Sequence, residues 1–121
     1  MAGMPRLLFP RSSRLKLPSD FVRAKARGRR LVCGCLIANV LPRATGQASR
    51  LGVVTSKKIG GAVVRNRARR LMRECFRLHQ GKLTRPVDLV LVARPSIVGK
   101  HLTEIENDFM RVLSQARLDI P

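Results

Sequence analysis

The chain has 121 residues, with 25 Lys plus Arg against 7 Asp plus Glu, for a formal net charge of +18. Self-repulsion on that scale opposes compaction of a single domain, so the composition calls for a polyanionic partner. Hydrophobic residues at 45% exclude a disordered basic tail; four Phe with no Tyr or Trp exclude an RNA-recognition sheet built on exposed aromatic rings.

In chain order, residues 1–17 read as a basic N-terminal arm broken by Pro5 and Pro10, and residues 18–121 as one single domain that carries the polyanion-binding surface. Pro18-Ser19-Asp20 starts a short helix, with Ser19 as the expected N-cap and Gly28 as its stop. Leu31–Leu41 is rich in β-formers, is interrupted at Gly34, and ends at Pro42. A polar loop over Pro42–Ser49 leads to a strand at Leu51–Thr55 and then to Lys57-Lys58-Ile59-Gly60-Gly61. From Val63 to His79 the period becomes helical. At 100° per residue, Val64, Ala68, Leu71, Met72, Cys75, Phe76 and Leu78 share one arc, and arginines fill most of the remainder. Val87–Ala93 is a nearly continuous apolar run, the mark of a central strand, which Pro95 ends. Thr103–Ala116 closes the chain as a helix, with Thr103 and Glu106 at capping-box spacing. The elements run α-β-β-α-β-α, with a third early strand if Gly34 divides Leu31–Leu41.

Cys33, Cys35 and Cys75 form no disulfide framework and point to a reducing compartment. Cys33 and Cys35, two apart, are expected on one strand face within the core. His79 and His101 lack the paired spacing that a zinc site with these thiols needs, so no metal is expected on the protein. No apolar run approaches the roughly 18 residues of a membrane span, and Leu7-Leu8-Phe9 is too short for a signal-peptide core. Met1–Lys16 has the arginine content of a transit peptide, but the folded pattern follows it too closely. The expectation is a cytoplasmic protein with no membrane partner.

The block from Ser56 to Arg70 carries the chemistry. Between Lys57 and Arg77 stand eight basic residues and one acid, Glu74. A strand delivers two lysines to a glycine-rich turn, and the turn opens a helix whose early residues are Arg65-Asn66-Arg67. Free backbone N–H groups and the positive end of the helix dipole fall at the same place. Arginine forks take phosphate oxygens in pairs, and an asparagine both donates and accepts toward ribose or a base edge. No Gly-Lys-Ser/Thr follows the glycines and no GxGxxG is present, which argues against a nucleotide loop. A merely solvated helix face would mix charges for i,i+4 pairing, and Glu74 serves at most a few arginines.

The run Lys57-Lys58-x-Gly60-x-Ala62-Val63-x-Arg65-Asn66-Arg67-x-x-Arg70-Leu71-x-Arg73-Glu74-x-Phe76-Arg77 closely resembles the signature of the bacterial ribonuclease P protein subunit family. Arg14-Leu15, Asp20-Phe21, Arg50-Leu51-Gly52 and Asp88–Pro95 resemble flanking elements of the same family, so the likeness covers Arg14 to Arg117. It implies an α/β (α+β) two-layer sandwich, αβββαβα, whose sheet of about four strands contains a left-handed βαβ crossover, as in a domain of a small-subunit ribosomal protein. It further implies an endoribonuclease holoenzyme whose RNA is the catalyst. The protein binds that catalytic RNA and the 5′ leader of precursor tRNA, with Mg²⁺ entering through the RNA and substrate and no obligate protein partner. Carried over by position, Lys57, Lys58, Arg65, Asn66, Arg67, Arg69, Arg70 and Arg73 are the RNA-binding candidates. Phe21, with Arg14, Lys16 and Lys25, is the leader-binding set. No catalytic residue is assigned to the protein.

The chain departs from the family pattern in three places. Lys25 stands where many relatives have a second aromatic, Asn39 where a strand aromatic is common, and Gly61 where Asn is frequent. Leader binding is therefore expected to lean on charge. The carboxylates are not arranged for a protein-borne metallonuclease. Asp20 and Glu104 to Asp108 read as first-turn helix charges, Asp88 as an arginine's partner at a strand edge, and His79 and His101 lack an evident carboxylate partner. The alternative reading, a structural ribosomal RNA-binding protein, shares the size and charge but does not require Arg65-Asn66-Arg67 in this setting. A nucleoid DNA-binding protein would need a helix-turn-helix, a dimerisation stripe or a minor-groove arm, none of which is visible.

Overall fold

Gly34 and Cys35 form a tight turn between two antiparallel strands, β1 (Arg29–Cys33) and β2 (Leu36–Pro42), so the β-prone stretch is a hairpin and the third early strand exists. A computed structural model of the chain, describing residues 11–119, shows the remaining order. Helix α1 (Pro18–Arg27) precedes the hairpin, and β3 (Arg50–Val54), α2 (Ala62–His79), β4 (Val87–Ala93) and α3 (Leu102–Gln115) follow it. The strands form one sheet in the order β1-β2-β4-β3. β1/β2 and β2/β4 pair antiparallel, while β3 and β4, joined through α2, pair parallel. The first ten residues of the expected arm lie outside the described residues. Within the described part, Leu15 N–H donates to the Leu51 carbonyl at 2.9 Å, so this segment runs beside the outer edge of β3.

Strand alternation divides the sheet's residues between two faces. Leu31, Cys33, Leu36, Ala38, Val40, Leu51, Leu89 and Leu91 join Met72, Cys75 and Phe76 of α2 and Ile105, Phe109, Val112 and Leu113 of α3 in the main core. Among the described residues the opposite face is covered by α1 and Leu15, through Ala24 and Phe21 against Val54, Val90 and Val92. Burial of each large apolar side chain in the main core contributes about 1.5–3 kcal/mol.

Several local expectations change. α1 begins at Pro18 with Leu17 as N-cap, not at Ser19, because proline's fixed φ suits the first helical position. In α3 the cap lies two residues earlier: the Glu104 carboxylate accepts the His101 backbone N–H at 3.1 Å, replacing the Thr103–Glu106 box. That frees Glu106, whose carboxylate meets His79 Nε2 at 2.7 Å, so His79 does have a carboxylate partner. Only Asp20 and Glu104 occupy first turns; Asp108 instead accepts the Cys35 N–H at 3.0 Å, fastening the hairpin turn to α3. Cys33 and Cys35 are buried as expected but sit on either side of Gly34, at the strand end and in the turn, not along one strand. Asp88 is on an interior strand and buried. It takes Arg50 in a two-pronged bond at 2.8 and 2.7 Å, with Arg43 Nε at 3.5 Å.

Candidate nucleic-acid interface

Ile59, buried beneath a short 3₁₀ turn, holds Lys57 and Lys58 outward in front of α2. The backbone passes Gly60 at φ 142°, a conformation side chains disfavour, and Gly61 caps the helix without a side-chain bond. The first turn of α2 contains no acid, so its amides and dipole are left to an external anion.

The arginines of α2 divide by what they touch. Arg67 donates to the Lys100 carbonyl at 2.8 Å, tying α2 to the turn before α3. Arg69 donates to Thr55 Oγ1 at 2.6 Å and to the Asn66 side-chain carbonyl, which sets the carboxamide's orientation. Arg77 is paired with Glu74 at 2.5 Å. Arg65, Arg70 and Arg73 form no ion pair among the described residues, and Arg65 Nε is buried without a hydrogen-bond acceptor. Burial, then the neighbouring charges of Arg14 and Arg69, pull the Arg73 guanidinium below its ordinary pKa. Like charges held this close are tolerable when an anion neutralises them.

Phe21 lies on Gly52. A Cβ at that glycine would stand 2.5 Å from the ring, so only glycine admits the contact. On one side of the ring a cleft of about 450 Å³ is lined by Arg14, Lys16, Leu51 and Arg73. On the other, a cleft of about 350 Å³ is lined by Lys25, Arg30, Asn39, Val54 and Val92. The sequence assigned Arg14 and Lys16 to one partner and Arg73 to another; the fold brings all three to one cleft. Lys25 stands in the second cleft, with Phe21 common to both. Sequence reasoning missed Arg30. The alternation of Arg30 with Leu31 puts it on the α1 face, and the hairpin register sets it opposite Asn39.

A cationic helix face with unpaired arginines, continuous with a two-part cleft on a half-covered sheet, defines a polyanion-binding α+β protein. The family model described as Ribonuclease P matches residues 9–117, and the chain belongs to that family, the protein components of ribonuclease P. The ribonuclease P protein component of Desulfovibrio desulfuricans is 41% identical over 113 residues, covering 93% of this chain and 83% of that one. That of Chloroflexus aurantiacus is 39% identical over 109 residues, covering 89% and 80%. Among solved structures, the Staphylococcus aureus RNase P protein superposes with a TM-score of 0.80 at 28% identity, covering 89% of this chain and 98% of that one. The Thermotoga maritima RNase P protein gives 0.76 at 25%, covering 84% and 96%. The role is that of the protein subunit of ribonuclease P, in tRNA processing.

Proposed function

We propose that the cationic face of α2 and its approach, Lys57, Lys58, Arg65, Asn66, Arg67, Arg69, Arg70 and Arg73, binds the catalytic RNA of ribonuclease P. The two clefts around Phe21, with Arg14, Lys16 and Lys25, take the 5′ leader of precursor tRNA. In this reading the protein lowers the repulsion between two polyanions, the RNA performs the hydrolysis, and no obligate protein partner is involved. The observation that carries it is the set Arg65, Arg70 and Arg73, without ion pairs among the described residues, on the helix whose Arg73 lines a cleft together with Arg14 and Lys16. Arg67 and Arg69 act partly by holding the surface in shape, through Lys100 and Thr55.

Mg²⁺ enters this reading with the RNA and substrate. Six of the seven carboxylates are already held within the protein. Asp20 pairs with Arg23, Glu74 with Arg77, Asp88 with Arg50, Glu106 with His79 and Asp108 with Arg111, while Glu104 caps α3. Among the described residues no helix is long and apolar enough to cross a membrane, and the proposed place of action is the cytoplasm with its RNA partners.

Reconstitution tests the reading. The protein added to a cognate catalytic RNA should raise precursor cleavage at low Mg²⁺, and no gain would overturn it. In the same assay Arg65→Ala should weaken assembly and reduce the salt slope by about one unit, the loss of one phosphate contact. An unchanged slope would return Arg65 to a solvated helix face.

A further inference from the structure

The end of the sheet away from the α2 N-terminus carries a second group of arginines, which neither the α2 face nor the clefts around Phe21 use. Arg27 ends α1, Arg29 begins β1, Arg43 follows β2, and Arg85 stands just before β4. All four line one cleft of about 450 Å³, with Val40, Val87 and Leu118 in its floor. Between Arg27 and Arg29 the chain turns at Gly28. A Cβ there would stand 2.3 Å from the Ala24 carbonyl oxygen and 3.0 Å from that of Val40. The missing side chain lets the helix end press on the sheet and fixes where both arginines leave the backbone. Arg43 is held by Asp88 at 3.5 Å and by the Ala48 carbonyl, and Arg85 by the Ala116 and Arg117 carbonyls at 2.9 and 2.7 Å. The side chains of Arg27 and Arg29 are exposed and make no hydrogen bond or ion pair among the described residues. None of the residues lining the cleft is acidic, and Asp119, just past Leu118, is exposed and pairs with none of the four.

Each free arginine has a local use. Arg27 meets the negative end of the α1 dipole, and Arg29 keeps the edge strand β1 from pairing with another sheet. Neither use requires them to converge with Arg43 and Arg85, and four like charges around one cleft repel one another. Phosphate oxygens would neutralise that charge, and free guanidinium forks take them in pairs. The placement matters as much as the charge. Lys57, Lys58 and Arg65 follow the end of β3, where Val54 pairs with Val92; Arg29 pairs with Val40, and Pro42 with Val87, at the other end. At about 3.3 Å per residue, the seven residues of β4 put the two groups about 20 Å apart. We propose that this cleft is a second RNA-binding site, which takes backbone phosphates of folded RNA at the end of the sheet opposite the α2 surface. Arg27 and Arg29 make the contacts, while Arg43 and Arg85 deepen the positive field behind them. The protein then bridges two stretches of RNA across the length of its sheet. The proposal rests on RNA being the partner, whichever residues of α2 meet it.

The phosphates can come from the catalytic RNA or from the folded body of the tRNA, and two titrations over a range of salt separate these sources. In the first, protein carrying Arg27→Gln with Arg29→Gln is titrated into cognate catalytic RNA. In the second, holoenzyme saturated with the same protein is titrated with leaderless tRNA. The salt slope should fall by about two units, one per phosphate contact, in at least one of them. A fall in the first assigns the phosphates to the catalytic RNA, and a fall in the second to the tRNA. Lys82→Gln with Arg111→Gln removes the same charge from exposed positions that do not line the cleft, and should leave both slopes unchanged. An equal fall in that control would make the effect one of net charge and overturn the site. The thermal midpoint of the Arg27/Arg29 variant should stay within about 2 °C of wild type. A lower midpoint with unchanged slopes would make the two arginines structural and overturn the proposal. So would a fall seen only when the tRNA carries its leader, which would make the cleft part of the leader path. If the wild-type protein binds neither RNA, the proposed function falls as well. Normal wild-type binding with unchanged slopes in the variant overturns this cleft alone.

Discussion

The sheet face under α2 and α3 and the face under α1 are built from alternating residues of the same four strands, and they differ in how completely they are closed. On the first, Phe76, Met72, Phe109 and Leu113 from two helices seal Leu36, Leu89 and Leu91 to essentially zero exposure. On the second, one ten-residue helix covers the sheet, and the row Val54–Val92–Ile37–Val32 is left partly open. The other end of that open face is sealed by polar groups: Arg50 bonds Asp88 and lies 3.9 Å from Asp20. Stability is therefore concentrated on one face, leaving the other free to offer a cleft.

The largest effect should come from the closed face. Phe109 has no solvent exposure, and Phe109→Ala should cost about 3–5 kcal/mol in denaturant unfolding. That is a large share of the roughly 5–15 kcal/mol typical of a domain. A loss below about 1 kcal/mol would mean that α3 contributes little and that the two faces are not different in kind. Next comes the sealed end of the open face. Asp88→Asn strips Arg50 of its counter-charge, but Arg50 is 22% exposed, which moderates the penalty. The expected loss is about 2–3 kcal/mol, read as a lower thermal midpoint. A neutral result would show that the polar seal is dispensable and that α1 alone closes that end.

How much of this was readable beforehand follows from the range of each interaction. The amphipathic arc of α2, the apolar run of β4 and the Gly34 break are local patterns, and each became the element its period implied. The cap of α3 was misplaced by two residues because Thr103–Glu106 and His101–Glu104 are both acceptable pairs; Glu106 is taken by His79 from another helix. Asp88 reads as an edge residue only until β3 is known to pair parallel beside β4. The cleft itself was least legible. Phe21 on Gly52, Arg73 beside Arg14, and Arg30 opposite Asn39 all depend on strand register or on contacts between distant segments. The family likeness supplied residues for the site, while the division of those residues between two clefts came only from the fold.

Arg73 lies where the two regions meet, on a helix of the closed face but lining the open cleft. Its half-buried guanidinium is disfavoured by burial and by Arg14 and Arg69, so it strains the free protein in the absence of an anion. Arg73→Gln keeps much of the packed stem and removes the charge. At low salt the variant's thermal midpoint should rise by about 2 °C, and the gain should shrink as added salt screens the repulsion. Binding to the catalytic RNA should weaken in the same variant, with the salt slope lower by about one unit. Opposite signs for folding and binding are the signature of a charge kept for a partner. A lower midpoint with unchanged RNA affinity would instead make Arg73 part of the packing of the closed face, and the boundary between the two regions would move to Arg14.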